Sequence, residues 1–169
     1  MSMKENSSIK EKTLHPEKSL KTPHAKKREE EAAASDKCVE ALDERICTAL
    51  QAASDKKAVE PVVLDLRSIA SFTDYFIITS GTNQRQVQAI ADEVVEQLKK
   101  QGTRAERVEG YNTAEWVLVD YGDFVVHVFE EKARRFYDLE RLWREAARVE
   151  LPENLRGESS ASGSLRKEQ

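Results

Sequence analysis

Apolar residues recur along this chain in two periods, and the switches between them divide it into elements. Val39, Leu42, Ile46, Ala49, Leu50 and Ala53 fall at helical spacing and predict an amphipathic helix over about 36–55. Pro61 then opens a strand over 62–66, since proline is tolerated at a strand's first position. A second strand, 75–79, is apolar on both faces and is expected at the centre of its sheet. Asn83 is a good helix N-cap, and Gln86 three residues on completes a capping-box pattern. Val87, Ile90, Ala91, Val94, Val95 and Leu98 form the stripe of that helix, and Gly102 stands where a left-handed residue closes it. A short strand near 104–108 leads through Glu109-Gly110-Tyr111-Asn112 into a hairpin. Phe136, Leu139, Leu142, Trp143 and Ala146 then predict a last helix over about 132–147 with those residues inward. Glu130 and Glu131 at its start, and Arg144 and Arg148 near its end, suit the helix dipole. The order α-β-β-α-β-β-β-α reads as an α/β fold, a mixed five-stranded sheet flanked by helices.

The hairpin, 114–129, organises the rest. Two runs rich in Val, Phe and Trp flank Tyr121-Gly122, where glycine supplies the positive φ of a tight turn. A two-residue loop there pairs Asp120 with Asp123, Leu118 with Val125 and Trp116 with His127. Side chains alternate across a strand, so the hairpin has two faces. One carries Val117, Val119, Phe124, Val126 and Val128 and is core. The other carries Trp116, Leu118, Asp120, Asp123, Val125, His127 and Phe129. That second face fits a partner surface with apolar anchors and a polar rim. It equally fits a face covered by a helix, with His127 a satisfied core histidine and the two Asp residues hairpin corners. Spacing does not choose between them.

Composition sets limits on both. At 169 residues the chain holds one ordinary domain. Charged residues are 34% of the chain and mean hydropathy is −0.66, which points to segments outside the fold. Residues 1–35, with Ile9, Leu14 and Leu20 almost their only large apolar side chains, read as a disordered tail. Residues 36–152 read as the domain, and the Gly/Ser-rich 153–169 as a second tail. No apolar run approaches the roughly 20 residues that span a bilayer, and the N-terminus lacks the apolar core of a secretory signal. The glutamates at 5, 11, 17 and 29–31 also argue against an organelle transit peptide, so a cytoplasmic, bacterial protein is the expectation. Residues 36–152 hold 16 basic and 22 acidic groups, whereas 1–35 hold eight basic and six acidic. An acidic domain repels phosphate, which argues against direct DNA binding and suits a basic protein partner.

Candidate chemistry is sparse. Cys38 and Cys47 fall on the first predicted helix with their Cα atoms roughly 13 Å apart, too far to bridge, and read as reduced thiols. Three histidines and two cysteines offer no zinc site, and no cofactor motif is present. Ser80-Gly81-Thr82-Asn83, between strand and helix, reads as a capped turn rather than an anion cradle. His127 is the domain's one histidine, and without a placed nucleophile it makes no triad. The alternative to a binding protein is a divergent nucleotidyl- or phosphotransferase using Asp120 and Asp123 with Mg²⁺.

Many ordered pieces resemble the ribosomal silencing factor (RsfS, Iojap) family. They run from Thr73-Asp74-Tyr75-Phe76 and Ser80-Gly81 through Arg85-Gln86-Val87, Ile90-Ala91-Asp92 and Glu109-Gly110 to Trp116, Asp120 and Gly122-Asp123. Val126-His127, Phe129, Arg135 with Tyr137, and Leu139-Glu140 with Leu142-Trp143 complete the set. The resemblance implies a nucleotidyltransferase-like fold without transferase activity. It implies docking on the large ribosomal subunit, on ribosomal protein L-fourteen, which keeps the small subunit from joining and lowers translation when nutrients run short. The contact it implies falls on Trp116 with Leu118, Asp120, Tyr121, Asp123 and His127, and on Glu109 and Asn112 in the preceding loop. The family pattern is loose at Tyr121. No membrane contact is implied, and a homodimer is left open.

Overall fold

The structure is a computed structural model that describes residues 42–157; the N-terminal tail expected over 1–35, and most of the C-terminal one, lie outside the described residues. Helix α1, Glu44–Asp55, begins after Asp43, whose carboxylate accepts from the Arg45 amide. Strands β1 (Val59–Asp65) and β2 (Tyr75–Gly81) precede helix α2 (Gln84–Lys100). Strands β3 (Arg107–Glu109), β4 (Trp116–Asp120) and β5 (Phe124–Glu130) follow, then helices α3 (Glu131–Tyr137) and α4 (Leu139–Leu142), strand β6 (Ala147–Arg148) and a 3₁₀ turn at Glu153–Leu155.

The six strands form one mixed sheet in the order β3-β4-β5-β2-β1-β6. Only β2 and β5 pair in parallel. As its two apolar faces predict, β2 is central. The expected five strands become six because Ala147 and Arg148 pair with Asp65 and Leu64. Two residues make too short a strand to leave a sequence signal.

One core lies between the sheet and helices α1 and α2. It takes Val63, Ile77, Val117, Val119, Phe124, Val126 and Val128 from the strands. Asn83 caps α2 by accepting from the Gln86 amide, as the sequence predicts, while the Gln86 side chain reaches back to Thr82 rather than Asn83. The turn's polar groups are thus satisfied locally. At the other end Gly102 sits at φ +85°, with the Gly102 amide donating to Lys99 and the Thr103 amide to Leu98. This is the Schellman closure that a left-handed glycine permits.

The second core, on the opposite face, differs from expectation. The helix predicted over 132–147 breaks at Asp138, which adopts φ +45°. Leu139 and Ala146 are buried as predicted and Trp143 packs inward, but Phe136 is 82% and Leu142 75% exposed. A break of this kind reorients each half, so the single apolar stripe of a continuous helix is split. Arg134 ties α3 to the sheet. Strand β1 bulges where Glu60 takes φ +47°, and Arg134 donates to the Val59 and Glu60 carbonyls at 3.3 and 2.8 Å and to Ser80 Oγ at 2.9 Å. Its remaining nitrogens donate to Glu140 Oε1 at 2.9 and 2.7 Å.

The fold also runs past Pro152, where the sequence places the domain's end: Leu151 and Leu155 are buried in the first core. Cys47 is disulfide-bonded rather than reduced. Only a helix continuous from 36 would hold the two thiols too far apart to bridge, whereas α1 begins at Glu44; Cys38 lies outside the described residues.

Two substitutions check these assignments. Leu155→Ala should destabilise by about 2–5 kcal/mol in chemical denaturation, because it opens a cavity in the core; a change near zero would detach the turn from the domain. No atom lies within 4 Å of a Cβ built on Gly102, so Gly102→Val should lower stability by about 1 kcal/mol through backbone strain alone. An unchanged melting temperature would refute that helix end.

Candidate functional site

The hairpin turns one residue later than its sequence suggests, which moves the pairing register by two. The Tyr121 amide donates to the Phe124 carbonyl at 3.0 Å, so the loop is Gly122-Asp123, with glycine in its first position at φ +82°. Asp120 therefore pairs with Val125, Leu118 with His127, and Trp116 with Phe129. A shift of two keeps every side chain on its expected face.

The disputed face divides between its strands. Val125, His127 and Phe129 of β5 are buried beneath α3 and α4, which makes His127 a core histidine. Trp116 and Leu118 of β4 are only half-buried, so part of each side chain remains open to solvent. Edge strand β3 adds Glu109 opposite Leu118 and Arg107 opposite Asp120. The open part of the face is thus Trp116, Leu118, Asp120, Arg107 and Glu109.

Trp116 is held from several directions. Its indole stacks on Phe129 at 4.9 Å between ring centres and meets Tyr137 of α3 at 5.0 Å. Its Nε1 donates to His127 Nδ1 at 3.1 Å. Accepting at Nδ1 places the His127 proton on Nε2, which is buried without a hydrogen-bond partner among the described residues. Burial lowers the imidazole pKa to about 4, so the ring is neutral near pH 7 and remains an acceptor for Trp116.

The two aspartates do not converge. Asp120 Oδ1 accepts from the Gly122 amide at 2.8 Å, and its Oδ2 lies 3.3 Å from Arg107. Arg107 also approaches Glu109 at 3.4 Å. Asp123, in the loop, instead pairs with Arg45 of α1 at 2.9 Å. Among the described residues no group of three or more His, Cys, Asp or Glu side chains could hold a metal ion. Tyr121 faces the first core, 6% exposed, and desolvation pushes its hydroxyl up to about 12. Asn112 is exposed in the loop before β4.

Sequence reasoning assigned neither Arg107 nor Tyr137 to the site. Alternation from Trp116 across β4 to β3 would have placed Arg107 on the open face, had the register of that short strand been fixed. Tyr137 reaches Trp116 only because the last helix breaks one residue later.

Fold and site together define a small α/β domain whose distinguishing surface is a sheet face, half covered by a short broken helix and half open. The family model described as "Ribosomal silencing factor during starvation" matches residues 39–169. The chain belongs to that family, whose work is the regulation of translation at the ribosome. A ribosomal silencing factor of Halalkalibacterium halodurans is 47% identical over 103 residues, which cover 61% of this chain and 88% of that one. A mouse protein named for mitochondrial assembly of the ribosomal large subunit is 36% identical over 75 residues, 43% of this chain and 33% of its own. A crystal structure of a Chromobacterium violaceum protein superimposes with a TM-score of 0.60 at 38% identity, covering 61% of this chain and 86% of that one. No helix among the described residues is long and apolar enough to cross a membrane.

The buried imidazole makes stability depend on pH. The unfolded chain protonates His127 near its ordinary value of 6.5, the folded chain only near 4. Between those values the unfolded state binds more protons, so stability present above pH 6.5 is lost as pH falls. The domain should be about 2 kcal/mol less stable at pH 5 than at pH 7 from this group. Denaturation of His127→Phe at both pH values should show that dependence flattened, and an equal slope in the variant would assign it elsewhere.

Proposed function

We propose that this protein docks on the large ribosomal subunit through the open face of β3 and β4, against ribosomal protein L-fourteen, and so excludes the small subunit sterically. Trp116 carries this reading. An aromatic side chain fixed by Phe129, His127 and Tyr137 yet half-exposed is an anchor whose rotamer is already chosen, which lowers the entropic cost of binding. Leu118 widens the apolar centre, and Asp120, Glu109 and Asn112 form a polar rim on an acidic domain. A basic protein surface complements that rim. Arg107 lies between the two acids, so an incoming cation would displace it from them at little cost, since exposed pairs are weak. Tyr121 supports the face from the core behind it, His127 holds Trp116 from the side, and Asp123 stands at the loop beside it. The kinship with proteins named for ribosome silencing and for large-subunit assembly supports the choice of partner.

The protein acts in this reading by occupation, in the cytoplasm and under nutrient limitation, with no bond made or broken. Residues 42–157 contain the docking unit.

Gradient sedimentation with purified ribosomal subunits tests it. The protein should travel with the free large subunit and be absent from joined ribosomes. Trp116→Ala should weaken that association about thirtyfold, the loss expected for a central aromatic anchor. Glu109→Lys and Asp120→Lys should each weaken it with melting temperatures within a few degrees of the parent. Undiminished association in all three variants would move the contact off this face.

A further inference from the structure

We propose that the groove over the α3–α4 break is a second docking site, which takes an acidic amphipathic helix of a protein partner. Seven large apolar side chains of the described residues are exposed, and five of them gather here: Ile69, Phe72, Phe136, Tyr137 and Leu142. Phe136, Tyr137, Leu142 and Ile69 line an open groove of about 840 Å³. Exposed apolar side chains clustered in this way are uncommon on a protein without a partner. The exposure of Phe136 and Leu142 follows from the left-handed turn at Asp138, a conformation that costs a non-glycine residue free energy. A continuous helix would have avoided both the strain and the exposure.

The rim identifies the partner. Arg135, Arg141 and Arg144 line the groove, and among the described residues their side chains make no ion pair or hydrogen bond. Arg45, Arg67, Arg107, Arg134, Arg148 and Arg156 are all engaged with carboxylates. Arg85 and Arg104 also lack a carboxylate, but neither lines the groove. Asp138 and Glu145 share the lining, which leaves one positive charge in surplus on a chain whose formal net charge is −4. Unpaired guanidinium groups around an apolar floor fit a helix that presents Leu, Ile or Phe at successive turns with Asp or Glu beside them. Single-stranded RNA fits less well. It needs a cationic track and flat ring platforms, whereas the floor here includes the aliphatic Leu142 and Ile69.

This site goes beyond the ribosomal reading and does not depend on it. The two surfaces are separate but adjoin through Tyr137, whose ring meets Trp116 on one side and Phe136, at 5.1 Å, on the other.

Fluorescence anisotropy on the full chain tests the proposal with three labelled probes: a Leu/Glu amphipathic helical peptide, the same peptide with Lys for Glu, and an oligouridylate. The acidic peptide should bind, and the Lys peptide should bind about tenfold more weakly or not at all. Leu142→Ser, and separately Arg141→Glu with Arg144→Glu, should each weaken the acidic peptide about tenfold. These side chains are exposed and make no bonds, so unaltered melting curves should accompany the loss. Equal affinity for both peptides, no binding of either, preferred binding of the oligouridylate, or full affinity in both variants would overturn the proposal. Self-association of the chain that Leu142→Ser abolishes would also overturn it, since the occupant would then be a second copy.

Discussion

Strand β5 is buried along both faces from Phe124 to Phe129, and most of the molecule follows from that burial. A strand apolar on both sides needs cover on both sides. Helices α1 and α2, 12 and 17 residues long, cover one face with ease. The other has only α3 and α4, of seven and four residues. They cover β5 and touch β4 only at its Trp116 end, through Tyr137. The half-exposed Trp116 and Leu118 are the direct result of too little helix for a six-stranded sheet.

That shortage also resolves the two readings of the hairpin's second face, since each holds for one strand. On β5, His127 is a neutral core residue with its Nδ1 satisfied by Trp116. On β4, Trp116 keeps one side toward solvent. Beyond the backbone ladder between β4 and β5, the Trp116–His127 hydrogen bond and the Trp116–Phe129 stack join the covered half to the open one, so the stability of the core and the geometry of the proposed anchor are not independent properties.

The sequence disclosed face and centrality more reliably than register or ends. Period-two alternation placed Val117, Val119, Phe124, Val126 and Val128 in one core even though the turn was assigned one residue early, because the pairing register then slips by two and an even shift preserves parity. The apolar faces of β2, the Asn83 cap and the Gly102 closure were legible because each rests on local chemistry. The break at Asp138 was not. Phe136, Leu139, Leu142 and Trp143 satisfy a helical stripe perfectly well, and tertiary contacts rather than propensity divide them. Strand β6 and the burial of Leu155 escaped for a related reason, since two or three residues carry no period. In the candidate site, the residues on long strands were foreseen, while Arg107 and Tyr137 depend on elements placed by the fold.

Helix α3 buries none of its residues fully, so apolar packing does little to hold it. Arg134 does that work, with its guanidinium divided among two backbone carbonyls, a serine hydroxyl and Glu140, while Arg148 grips the other Glu140 oxygen at 2.7 Å. Directional bonds of this kind fix rotation and slide together, where an oily contact would leave both soft. Tyr137 and Phe136 are therefore presented on a mount that is rigid before any partner arrives. Ordering them is a debt settled during folding, and association at either adjoining surface begins without it.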